Sequence, residues 1–497
     1  MVERMTTTVT PAPTTRQAAW RRRRRQAVCC VLPLLALLVG SGCQTHPEVI
    51  GKVKLEIMQG RLADPGQLSS ALSSNDDRLL LYLERGRLRQ INDDLDGSIS
   101  DYLAAMSFFE EQDEKARYTV SGAGSQIMAT MVNDRTLPYT GRSYEHIMLL
   151  QQQTLNMLAK NDYESLGVMV NNLVYQIGQA EKRYREELEA VEKKRQDGHE
   201  KAYSAVDDMP GFQNQMAAMN RAAATVRNSF QNAYVYYFSG MYYESRQDWS
   251  NAYLAYKTAL QLQPGCRTFQ DDVRRLARRM RREEELKEFG LEPMPARAAP
   301  LPNTGVVVFF YEQDYVDEKQ SFQLSVPIPT DAGVTLVNIT FPYYEEIRDC
   351  LAPLAIQNRR GQKLAVTELA CDMQGLAVKD LSEQMPGIIT RMVIRATLKA
   401  IAGHEMQEHM GMGAGFLATV AMAMLEQPDL RSWLLLPRYA QVARLELPAG
   451  EHELVLVPHG AANMQQSISV PVSAGKTTVM HIVSVPGRMI SRVTPLP

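Results

Sequence analysis

Between residues 48 and 290 the chain lacks the period-two alternation of a half-buried strand. It is rich in Ala, Leu, Tyr, Gln and charged residues, so it reads as a run of helices. LEPMPARAAPLP at 291–302 then breaks the pattern and reads as a linker. Beyond it come short β-branched runs bounded by Gly, Pro and Asp: GVVVFFYEQ, SFQLSVPIP and GVTLVNITFP. Further runs follow later in AQVARLELP, HELVLVPH, SISVPVS and KTTVMHIVSV. From residue 304 about eight strands can be counted, enough for a sandwich. A helical stretch at 376–426 interrupts them.

Within the helical half, NAYVYYFSGMYYESRQDWSNAYLAYKTALQLQPG (232–265) carries a helix–turn–helix repeat. Tyr236, Gly240, Tyr243, Trp249, Ala252, Tyr256, Ala259 and Pro264 fall at the spacing of a tetratricopeptide repeat. The small residues let two antiparallel helices approach, the aromatics fill the space to the next pair, and Pro264 ends the second helix. A degenerate copy lies at 82–106, with Tyr82, Gly86, Ser98, Tyr102 and Ala105 in matching places. A weaker pair runs through 143–176, where NDY echoes the turn. The charged run 181–201 predicts a solvated helix, and RRLARRMRREEELKE (274–288) a capping helix. The predicted fold is α + β and multidomain: an N-terminal TPR-like α-solenoid, then a β-sandwich-like domain with a helical-hairpin insertion. Its parts are a leader and signal (1–43), helical repeats (44–290), a Pro-rich linker (291–303), the strand domain (304–485) and a tail (486–497).

The N-terminus changes the compartment. RRRRR at 21–25 is a basic n-region, QAVCCVLPLLALLVG at 26–40 an apolar h-region, and SGC follows at 41–43. Small residues before a cysteine resemble the bacterial lipoprotein signal, in which Cys43 becomes the lipidated first residue. Gln44 after it, where Asp would retain the protein inside, resembles proteins sorted to the outer membrane. Cys29 and Cys30 leave with the signal, so Cys266, Cys350 and Cys371 remain. A periplasm permits disulfides. A hairpin turning at Asn358–Gly361 would set Cys350 and Cys371 nearly opposite each other, which makes them the candidate bridge. With 497 residues, 45% apolar and 22% charged, and a net charge of −2, the chain shows no bias toward nucleic acid or an anionic surface.

One stretch hints at chemistry. AGHEMQEHMGMGAG (402–415) holds two histidines and two glutamates in six residues. A helical zinc site needs its histidines four apart on one face. His404 and His409 are five apart, a rotation of about 140° around the helix, and Glu408 stands where the second ligand belongs. A metalloenzyme using His404 and His409 is therefore the disfavoured alternative. The flanking run GMGAGFLATVAMAML (411–425) places Gly411, Gly415, Thr419 and Ala423 four apart, a spacing that permits close helix packing. On this reading 404–409 is the polar elbow of a helical hairpin. Segment 411–425 then packs inside, or else contacts membrane or a second copy. Ahead of it, Arg391, Arg395 and Lys399 form a basic stripe, read as a solvated face. His452, His459 and His481 could converge in the strand domain, but their spacing follows no ligand rule.

MVNDRTLPYTGRSYEHIML (131–149) and EQPDLRSWLLLPRYAQVARLELPAGEHEL (426–454) resemble the hallmarks of a family of tetratricopeptide-containing bacterial lipoproteins. The resemblance spans about residues 75–484 and includes the order of parts. It implies an envelope lipoprotein without an established enzymatic activity, in a setting linked to cell-wall synthesis. The expectation is a periplasm-facing, outer-membrane-anchored scaffold that binds envelope proteins through the repeat groove. It needs no cofactor and no nucleic acid, and self-association is the structural alternative.

Overall fold

A computed structural model describes residues 45–497, apart from residues 73, 119–134, 136, 195–205, 294–302, 331–332, 346–349 and 411–426. The architecture is α + β, helices first and strands after. The helices are α1 (His46–Met58), α2 (Pro65–Ala71), α3 (Arg78–Ile91), α4 (Leu95–Tyr118), α5 (Ser143–Ala159), α6 (Tyr163–Lys194), α7 (Pro210–Ala222), α8 (Ala233–Ser245), α9 (Trp249–Leu262) and α10 (Arg267–Met280).

Three antiparallel hairpins, α3/α4, α5/α6 and α8/α9, share one turn. Asp93, Asn161 and Gln247 occupy the left-handed region at φ 68°, 58° and 62°. In each, the next residue's amide bonds back five positions: Asp94 to Arg89 O at 2.8 Å, Asp162 to Met157 O at 3.0 Å, Asp248 to Tyr243 O at 2.9 Å. That is a Schellman ending. The same aspartate then caps the following helix, accepting from Gly97 N at 3.0 Å, Ser165 N at 3.1 Å and Asn251 N at 3.2 Å. So one Asp closes the first helix with its backbone and opens the second with its side chain.

Seven residues before the left-handed position stand Gly86 and Gly240. A Cβ on Gly86 would lie 2.5 Å from the Tyr102 ring, and one on Gly240 would lie 2.6 Å from the Tyr256 ring. The tyrosine occupies the space a side chain would need, so both hairpins close only on glycine. In the middle hairpin Thr154 takes the glycine's place and the smaller Val170 the tyrosine's, and both are buried.

The strands are β1 (Thr304–Gln313), β2 (Gln320–Thr330), β3 (Gly333–Tyr343), β4 (Leu354–Asn358), β5 (Lys363–Val366), β6 (Glu368–Asp372), β7 (Tyr439–Pro448), β8 (Gly450–Pro458), β9 (Gln466–Val472), β10 (Thr477–Val485) and β11 (Arg488–Pro495). One sheet runs β11-β10-β1-β7-β6, a second β5-β4-β8-β9, and β2–β3 form a two-stranded ribbon. β1 and β10 are parallel; the other pairings are antiparallel. Val307, Phe309 and Tyr311 of β1 join Leu354, Ile356, Leu454, Leu456, Met480 and Ile482 in a core between the two large sheets. Val308 and Phe310 point the other way, into a core shared with the helices. Phe310 lies 5.4, 5.9 and 5.1 Å from the rings of Tyr234, Tyr237 and Phe238 on α8. A strand covered on both faces has no polar side, which is why GVVVFFY reads as an unbroken apolar run.

Helices and strands thus share one continuous core across the 291–303 segment. Three expectations need correction. Residues 486–497 are no tail: Gly487, at φ 83°, turns the chain and β11 pairs with β10. The elbow at 404–409 is absent, because helix α11 (Met373–Met410) runs straight through it. Segment 411–425 lies outside the described residues. The Cys350–Cys371 bridge is not formed, and Cys266, Cys350 and Cys371 are free thiols. The hairpin does turn at Asn358–Gly361, but after Val366 the chain leaves β4 and β6 pairs with β7 in the other sheet.

Gly240→Ala and Gly86→Ala are each expected to lower the free energy of unfolding in urea by about 1–3 kcal/mol, through overpacking against the tyrosine. Gly178→Ala on α6, with no atom near its Cβ, should instead raise it by up to about 1 kcal/mol through helix propensity.

Candidate functional site

Among the described residues, one buried stretch without regular structure is held by many side-chain bonds. Arg431–Arg438, RSWLLLPR, is buried throughout, yet it is neither helix nor strand until β7 begins at Tyr439. A buried irregular backbone needs side chains to satisfy its polar groups. Glu84 of α3 accepts from Leu434 N at 2.7 Å and from Leu435 N at 3.0 Å. Glu145 of α5 accepts from Trp433 N at 2.8 Å. Arg87 donates to Leu435 O at 3.3 Å and Lys319 to Arg431 O at 2.9 Å, while Val316 N bonds Leu436 O at 3.0 Å. Arg431 itself donates to Asp77 at 2.9 Å, Asp429 at 2.7 Å and Leu137 O at 2.8 Å. Trp433 meets Tyr102 edge-on, with ring centroids 5.9 Å apart.

Beside this segment lies a buried ion cluster. Glu312, on the helix-facing side of β1, is fully buried. Arg87 reaches it at 2.7 Å, Gln152 of α5 at 2.7 Å, Tyr234 of α8 at 3.3 Å and His481 of β10 at 3.5 Å. Burial alone would push the Glu312 carboxyl up, but Arg87 and His481 hold it down at about 2. Burial keeps His481 below the usual histidine range, against the pull of Glu312. Glu145 is raised by burial despite the bonds from Tyr139 and Trp433 N. The network continues through Gln90 and Asn156 to Ser98 at 2.8 and 2.9 Å. These carboxylates spend their acceptor capacity on backbone amides and on neighbouring side chains. The arrangement holds chain segments in register.

A second, open feature flanks α1. A cleft of about 450 Å³ lies between that helix, the 314–318 connection, Leu434, Arg438 and Pro486. Lys54 donates to Val316 O at 3.0 Å and sits 5.0 Å from the Tyr315 ring centroid. Arg438 bonds Asp317 at 2.9 Å. Burial pulls the Lys54 ammonium below its ordinary range, while Glu84, Asp314, Asp317 and Glu318 oppose this. No motif marked this cleft in the sequence. Its residues come from four separate stretches.

The residues read as repeat positions lie on α8, α9 and the turn after α9. Ala252 and Ala259 are fully buried, and Tyr256 donates to Glu244 at 2.8 Å. Trp249 lies under the Arg279 guanidinium at 3.7 Å, Tyr243 donates to Asn171 at 3.0 Å, and Gln270 donates to Pro264 O at 2.8 Å. Tyr236 is partly buried against the shared core. The basic run on α10 is largely ion-paired: Arg275 bridges Glu244 and Asp272, and Arg274 bonds Asp271. His404 and His409 sit on the helical backbone of α11, but their side chains lie outside the described residues, as does Cys43. His452, His459 and His481 do not converge. His452 bonds Pro448 O at 2.7 Å, His459 is exposed in a turn, and His481 faces Glu312. No family model, curated protein or solved structure matches the chain.

Glu312→Gln strips Arg87 of its buried counter-ion and should cost about 3–5 kcal/mol of stability in chemical denaturation. Acid should weaken the fold through a buried histidine. His146, stacked on Phe109 at 4.2 Å, is held neutral by burial and by Arg183, down to about 3. Its folded pKa lies below the unfolded value, so its contribution is present above about pH 6.5 and is lost as pH falls toward 3. Between pH 6.5 and 4.5 this histidine alone should remove about 2 kcal/mol. Thermal melts across that window should show a shallower fall for His146→Phe than for the parent.

Proposed function

We propose that the protein is a lipid-anchored scaffold of the bacterial outer membrane, facing the periplasm. In this reading the three hairpins are tetratricopeptide-like repeats that bind envelope proteins through their outer faces. Their inner face is filled by β1 and by RSWLLLPR of the same chain, so the groove that such repeats offer to a peptide already has an occupant.

One observation carries the reading. Val168 on α6 and Leu254 on α9 are 65% and 63% exposed. They stand at the same repeat position, fourteen residues after Thr154 and Gly240. Tyr175, two turns further along α6, is 58% exposed. Large apolar side chains at one repeat place on α6 and α9 are surface that water disfavours and a partner would cover. The anchor is Cys43, three residues before α1 begins at His46. That leash spans at most about 10 Å, so the folded body rides close to the bilayer. The family resemblance makes cell-wall synthesis or envelope assembly the setting.

The anchor is tested by fatty-acid labelling and membrane fractionation. The parent should take up label and sediment with outer membranes, and Cys43→Ser should do neither; an unlabelled, soluble parent would overturn the anchor. The scaffold is tested with a photo-crosslinking residue at position 168 or 254 in cells. A discrete adduct is expected at both, lost when the neighbouring repeat carries Leu254→Glu or Val168→Glu. Adducts no stronger than those from position 460, in an exposed turn, would refute the outer-face reading.

A further inference from the structure

The cleft beside α1 has two chemistries in one space. One wall is a single stripe of the helix, with Gly51, Lys54, Leu55 and Met58 on the side away from buried Val49, Val53 and Ile57. The opposite wall carries Asp314, Asp317 and Glu318, with Arg438 at its edge. Three carboxylates face two cations, and with Arg438 paired to Asp317 the remaining Asp314 and Glu318 face Lys54 alone. The balance favours a ligand that brings a cation. The helix wall is itself partly apolar: its Leu55 and Met58 are 47% and 54% exposed, and Leu62, shortly after the helix ends, is 62% exposed. The volume, about 450 Å³, suits a headgroup and the first part of its chains.

We propose that this cleft holds one phospholipid of the phosphatidylethanolamine class. Its ammonium faces Asp314, Asp317 and Glu318, its phosphate faces Lys54, and its acyl chains follow Leu55, Met58 and Leu62 toward the bilayer. A primary ammonium donates three hydrogen bonds to carboxylates, which a quaternary choline headgroup cannot do. The glycerol group of phosphatidylglycerol is uncharged and brings no cation to the carboxylates, so it forgoes the charge-assisted bonds. Nearness of α1 to the membrane rests on the Cys43 anchor; the chemistry of the cleft does not.

The test is native mass spectrometry of the full chain purified in detergent and titrated with phosphatidylethanolamine, phosphatidylcholine or phosphatidylglycerol. One bound phosphatidylethanolamine is expected, with affinity roughly tenfold above the other two. Gly51→Phe fills the cleft from a position whose Cβ meets no atom within 4 Å, and should abolish that preference. Asp317→Asn combined with Glu318→Gln, at exposed positions, should abolish it independently of any folding defect in Gly51→Phe. Equal binding of the three lipids, or a preference that survives both variants, overturns the proposal. The same spectra read the Cys43 mass. Unacylated Cys43 with the preference intact overturns the anchor and leaves the cleft standing. Binding to unacylated but not to acylated chains would make the Cys43 acyl chain the occupant and overturn the proposal.

Discussion

A carboxylate on the inner face of β1 is the constraint around which the two halves of the chain are arranged. Glu312 is fully buried on a strand that has no wet side. Burying an ion costs several kcal/mol unless its partners are close and correctly placed. Arg87, Gln152, Tyr234 and His481 supply them from α3, α5, α8 and β10. Each comes from a different element, so the cost of the charge is offset only in one docking of the helices on the sheet. A sliding β1 would leave both Glu312 and Arg87 without a counter-ion in a medium of low dielectric.

The same helices hold a guest made from their own chain. Glu84 and Glu145 receive the amides of Trp433, Leu434 and Leu435 as a groove would receive an extended peptide. Two consecutive amides on one carboxylate form a charge-assisted pair, stronger than neutral bonds of the same geometry. That explains how eight buried residues persist without a ladder. Residues 137–145 and 431–435 are two sides of this joint, with Tyr139 on Glu145 and Arg431 on Leu137 O.

Local chemistry was legible and long-range chemistry was not. The Gly240–Tyr256 and Gly86–Tyr102 spacings and the Asp after each turn are carried by neighbours in sequence, so the helical hairpins could be read directly. The run GVVVFFY announces a strand, but its lack of alternation marks two covered faces only once the helices and the second sheet are in place. β11 reads as a tail because RMISRVTP offers only Met489 and Val493 on one face and Ile490 on the other. The Cys350–Cys371 pairing failed for a related reason. A hairpin register predicts who is opposite whom only while both strands stay in the same sheet, and Thr367 is where they part: its amide still bonds Leu354 O, its hydroxyl already bonds Gln441 of the other sheet. The cleft was invisible because α1, the 314–318 connection and Arg438 meet only in space.

These constraints together orient the molecule. The inner face of the hairpins is spent on Glu312 and on RSWLLLPR, and the basic face of α10 is tied to Glu244, Asp271 and Asp272. What stays open is directional. One end carries α1, with Leu55, Met58 and Leu62 exposed and a charged cleft beside them. The hairpins' outer helices carry Val168, Tyr175 and Leu254. Both faces belong to helices whose opposite sides pack into the same core. Two separate exposed apolar surfaces on elements that share one core are the arrangement that the proposed scaffold role requires.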